Sequence, residues 1–136
     1  MDSKAKKLAE DHYRLVEETM KKYKLSEYDT PDWHGALSVG LCVAAERWFD
    51  DAYDKFKTAS FEDFAIPYMV ISVSGEKPVR AVLKKVRGMF GDLTKPQKDH
   101  VLAICFKEGD VATVNIFTTD SDDVRWIVSA DDNYLN

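Results

Sequence analysis

The sequence predicts a single α+β domain in which two N-terminal helices precede a β-α-β-β-β order, with a mainly antiparallel sheet packed on helices. Three observations predict it. Through the first 57 positions apolar residues recur at three- and four-residue steps, the period of a helix that turns one face to a core. From Tyr68 onward β-branched and aromatic residues gather instead in short runs, as in strands. With 136 residues, 45% of them hydrophobic and 32% charged, the chain can bury one core and has no long stretch of disordered composition.

The first helix is read over residues 3–24, where Leu8, His12, Leu15, Val16, Thr19, Met20 and Tyr23 form one stripe. The second runs from Thr30 to about Lys57. Thr30 would cap it, Pro31 suits the first helical position, and Asp32 complements the positive end of the dipole. Trp33, Leu37, Leu41, Ala45, Trp48, Ala52 and Phe56 continue as its stripe. Gly35 to Ala45 carries no charge on any side, so this is read as the central helix, surrounded by protein, with Gly35, Gly40, Ala44 and Ala45 permitting close approach.

Ser60-Phe61-Glu62-Asp63 is similar to a capping box with aspartate in the Glu/Gln position, opening a helical turn that stops before Pro67. Tyr68 to Ser74 reads as a strand, and Gly75-Glu76 as a turn. A third helix begins at Pro78, with Val79, Val82, Leu83, Val86 and Phe90 inward and Gly88 or Gly91 to end it. Asp92 to Asp99 is a loop. Strands follow at 100–107, 111–118 and 124–130, joined by a hairpin turn at Glu108-Gly109-Asp110 and a longer polar turn from Thr119 to Asp123. Val101 to Phe106 is apolar on both faces, as a central strand covered on two sides would be. The second cover would come from the N-terminal helices or from another copy, which admits a homodimer. The alternative arrangement is a helical first half beside a separate three-stranded meander.

The formal charge of −5 and pI near 5.2 argue against general affinity for nucleic acid, which needs positive charge against phosphates. Cys42 and Cys105 each sit in an apolar run, without metal-site spacing, as small buried hydrophobes in a reducing compartment. Met1-Asp2-Ser3-Lys4 leads directly into a charged helix, so no secretory leader is expected. The longest uncharged stretch, Trp33 to Ala45, is shorter than the roughly 20 residues a membrane span needs. A cytoplasmic protein with no membrane partner is the expectation.

Catalytic patterns are sparse. His12, His34 and His100 belong to no H-E-x-x-H, E-x-x-H or Cys-x-x-Cys arrangement, so neither metal nor other cofactor is expected. His12 lies at a core edge, while His34 beside Trp33 stands at a helix N-terminus, where an anion could sit. Ser38 is one residue out of step for a G-x-S-x-G elbow, and both cysteines lie in segments too apolar to favour a thiolate. The reading is therefore a non-catalytic protein. A pocket between helices and sheet, lined by Trp33, His34, Tyr68 and Arg125, is the small-molecule or enzyme alternative.

Charge is segregated. Lys77, Arg80, Lys84, Lys85 and Arg87 fall in a span without acidic residues, either a solvated face or a docking patch for an acidic protein or RNA. Asp50, Asp51 and Asp54 cluster on the second helix, and Asp120, Asp122 and Asp123 in one turn that lacks the glycine and terminal glutamate of an EF-hand. These carboxylates would meet a basic surface on a protein partner, one that normally binds nucleic acid. The expectation is a small regulator, inhibitor, immunity protein or adaptor.

One stretch resembles the core-polymerase-binding region of bacterial sigma factors. There a helix of the form Asp-Leu-x-Gln-x-Gly-x-x-Gly-Leu leads into an Ala-x-Glu-Arg-Phe-like segment and then Phe-Ser-Thr-Tyr-Ala. The matching residues are Asp32, Gly40-Leu41, Ala44 to Trp48, and Phe61-Glu62-Asp63-Phe64-Ala65, within residues 12–66. Gly35 and Leu37 hold the Gln and first Gly positions, and 69–74 reads as strand where the family continues as helix. The resemblance implies an RNA-polymerase-binding protein, and not a working sigma factor, because no basic-aromatic promoter-reading helix follows.

Overall fold

A computed structural model describes residues 2–26, 32–57, 60–75 and 80–118. Among the described residues there are seven α-helices, one 3-10 helix and no strand. The helices are α1 (Ser3–Asp11), α2 (Arg14–Lys22), α3 (Trp33–Trp48), α4 (Phe61–Ser74), α5 (Arg80–Gly91), α6 (Lys95–Glu108) and α7 (Val111–Thr118). The 3-10 helix, Asp51–Phe56, follows α3. The expected α+β fold is therefore wrong, and so is the sheet on which a homodimer was argued.

The first half departs little from expectation. The first predicted helix breaks at His12 and Tyr13 into α1 and α2, with Asp2 accepting from the Lys4 amide at the start. The second ends at Trp48, and its remaining residues tighten into the 3-10 turn. Asp32 caps α3 by accepting from the Gly35 amide at 2.9 Å, while the expected cap, Thr30, lies outside the described residues.

The strands at 68–74, 100–107 and 111–118 are helices, and the fourth, 124–130, lies outside the described residues. Residues 68–74 extend α4, which begins where Ser60 accepts from the Asp63 amide and runs straight through Pro67. A proline at this position removes one amide and frees the carbonyl four residues earlier. That carbonyl, on Asp63, accepts instead from the Gln97 side-chain amide of α6 at 3.0 Å. The helix thus keeps its backbone satisfied through a tertiary contact.

The predicted loop 92–99 contains a complete capping box. Thr94 accepts from the Gln97 amide, Gln97 Oε1 accepts from the Thr94 amide, and Pro96 occupies the first turn. Glu108-Gly109-Asp110 turns helix into helix rather than strand into strand. Gly109 adopts a left-handed φ of 71° as the C-cap of α6, and Asp110 caps α7 through the Thr113 amide and hydroxyl.

The central layer is α3 on α4. At Gly40 an added Cβ would lie 2.6 Å from the Met69 Cα and the Tyr68 carbonyl, so only glycine lets the two backbones approach this closely. Gly35 has another use, since the side chain of its own cap, Asp32, fills the space a Cβ would need. α1 and α2 cover α3, while α5, α6 and α7 pack on α4. Phe64, Leu37, Leu41, Met69, Val73 and Val101 are fully buried between these layers.

Candidate functional site

α3 buries Trp33, Leu37, Gly40, Leu41, Ala44 and Ala45, which recur with helical period on one side. The expectation that protein surrounds this helix is only half met. Its other side carries Ala36, Val39, Val43 and Glu46, with Cys42 and Phe49 alongside, and Val39 is 59% and Phe49 49% exposed. A buried helix ordinarily presents charge on its free face; this one presents a single carboxylate, Glu46, on a small-residue apolar stripe. Beside the stripe runs a groove between α1 and α3 lined by Lys6, Ala9, Glu10, Tyr13, Ser38, Leu41 and Cys42. Tyr13 on its wall is joined to His34 by a hydrogen bond and an edge-on ring contact at 5.7 Å.

The far end of α3 is clamped. The Arg47 guanidinium donates to Glu108 at 2.7 Å and lies over the rings of Tyr53 and Tyr68, 4.9 and 5.2 Å from their centroids. Burial opposes its charge, but Glu108 and the two tyrosines more than offset that and raise its pKa. Behind it, Tyr68 and His100 Nε2 share a hydrogen bond of 2.9 Å, and His100 stacks on Phe56 at 4.2 Å. Burial, followed by the nearby Arg47 charge, lowers the His100 pKa to about 4, so the ring is neutral at physiological pH. This cluster fixes the direction in which the α3 stripe faces. That Arg47, Tyr53, Tyr68, His100 and Glu108 meet cannot be read from the sequence, because they come from four separate elements.

Several of the other candidates take part in local hydrogen bonds and ion pairs. Asp50 caps the 3-10 helix through the Ala52 amide, Asp54 pairs with Lys57, and Asp51 is exposed. On α5, Lys85 donates to the carbonyls of Tyr23 and Lys24 after α2, and Arg87 donates to the Ile116 carbonyl of α7. Those two cations neutralise helix C-termini, whereas Lys84 is exposed. Arg80 belongs to the first turn of α5. Lys77, Asp120, Asp122, Asp123 and Arg125 lie outside the described residues.

Of the four predicted pocket residues, the three that are described have separate surroundings. Trp33 is buried in the core with no partner for its indole N–H among the described residues, His34 faces Tyr13, and Tyr68 is buried against His100. Cys105 is buried and its thiol pKa is pushed up to about 12, principally by burial, which leaves it unreactive. Among the described residues, no group of three or more His, Cys, Asp or Glu side chains is arranged to hold a metal ion, and no helix is long and apolar enough to cross a membrane. No family model, curated protein or solved structure matches the chain.

Proposed function

We propose that the protein is a non-catalytic regulator that docks on a macromolecular partner through the outward stripe of α3, and that this partner is the core of a bacterial RNA polymerase. The observation that carries the reading is the exposure of Val39 within an apolar stripe on the central helix. That helix is the segment whose sequence resembles the polymerase-binding helix of sigma factors. Residues 69–74, which read as a departure from that resemblance, continue α4 as helix, as the resemblance requires. Apolar surface held rigid by a clamped helix needs little reorganisation on binding.

The test is binding of purified core RNA polymerase to immobilised wild-type protein and to Val39→Asp. Val39 is mostly exposed, so the substitution leaves the fold intact while placing a charge at the centre of the stripe. At least a tenfold loss of affinity is expected, with Phe106→Ala on α6 unchanged. Absence of wild-type binding removes polymerase as the partner. Equal binding by Val39→Asp, or loss confined to Phe106→Ala, moves the docking face away from α3.

A further inference from the structure

On a different face, α2 and α4 leave a cleft of about 200 Å³ between them. Its floor is apolar: Leu37, Met69 and Met89 from the core, with Ile66, Val70 and Leu93. A cavity of roughly 150 Å³ lined by aliphatic side chains already accommodates a benzene ring. This cleft therefore has room for one ring or a short branched chain, and its two methionines can adapt to the shape.

The rim is polar and unbalanced in charge. Among the described residues that line it, Glu18, Glu62 and Asp92 stand against Lys22, and Arg14 reaches Glu18 at 3.1 Å and Glu62 at 3.3 Å. Among the described residues, these three carboxylates against Lys22 and Arg14 leave one negative charge in excess. Asp92 is held by the Tyr23 hydroxyl at 2.6 Å, with Lys22 at 3.9 Å. Thr19 and Gln97, also on the rim, direct their donors to the backbone carbonyls of Leu15 and Asp63. The mouth thus offers acceptors and net negative charge above an apolar floor.

We infer that the cleft binds a small amphipathic amine, its aromatic or aliphatic body on the methionine floor and its ammonium group at the carboxylate rim. The site is independent of the α3 stripe and of the polymerase reading. It is tested by following the methyl resonances of Met69 and Met89 while titrating phenethylamine, and separately phenylacetate, which has a ring of the same size and the opposite charge. Both methyl signals should shift with phenethylamine, at an affinity at least fivefold higher than for phenylacetate. Thr19→Phe, which fills the mouth, should abolish the shifts. Asp92→Asn and Glu62→Gln, both at the surface, should each reduce the preference for the amine at least twofold. Shifts absent with both compounds, equal affinity for the two, or a preference untouched by both carboxylate variants would overturn the assignment.

Discussion

His100 shows how one residue's surroundings set a property of the protein. Its folded pKa of about 4 lies below the ordinary 6.5 because burial disfavours the imidazolium and Arg47 adds to the effect. Between pH 6.5 and 4 the unfolded chain therefore takes up a proton that the native chain excludes. Stability should fall across that window as pH drops, by at most about 3 kcal/mol from this group, and be independent of it above. Urea titrations at intervals from pH 7.5 to 4 check this. His100→Gln should be less stable at neutral pH yet show a flatter decline below 6.5, and an unchanged decline would assign it to the carboxylates. Gly40 carries the other residue-scale prediction. Gly40→Ala gains helix propensity of about 1 kcal/mol but drives a methyl into the backbone of α4, which cannot move aside as a side chain could. A net loss of about 1–3 kcal/mol in chemical denaturation is expected.

At the scale of elements, α4 and α6 depend on one another through Gln97. Its amide nitrogen satisfies the carbonyl released by Pro67, and its oxygen completes the capping box of α6. Gln97→Ala should cost about 1–2 kcal/mol in wild type and distinctly less with Pro67→Ala, where the Asp63 carbonyl regains a backbone partner. A double-mutant cycle measures the coupling, and additivity would refute the compensation. The cap itself is separable. Thr94→Ala should cost about 1 kcal/mol, and Thr94→Ser should retain most of the stability.

For the whole molecule, α4 touches α3, α5, α6 and α7, so no subset of helices keeps its core once α4 is removed. In a Trp126→Phe background, fluorescence from Trp33 and Trp48 and far-UV circular dichroism should then trace coincident unfolding transitions. The native dichroism spectrum should be dominated by helix. Two separated transitions would mean that α1–α3 and the remainder fold as independent units.

Local signals were enough where a one-sided stripe or a recognised cap marked the helix, but the capping box Thr94–Gln97 and the cap Asp110 went unread. The one-sided stripe of Leu8, Leu15 and Val16 and the cap at Ser60 could be read directly, and the small size of Gly40 already implied close approach. Tyr68–Ser74 and Val101–Phe106 could not be read this way, because the first ends in a strand-like alternation with Ser72 and Ser74 and the second is apolar on every side. A run without a polar face has no period to distinguish strand from helix, and its β-branched residues then favour the wrong answer. Glu108-Gly109-Asp110 was equally ambiguous, since a left-handed glycine ends a helix as readily as it turns a hairpin. The uncharged face of α3 was visible in the sequence, but whether it was covered was not. The clamp of Arg47, the acidic-rimmed cleft and the exposure of Val39 were decided only by tertiary structure. Each depends on which elements meet in space, and residues as distant as Arg47 and Glu108 carry no local trace of their pairing.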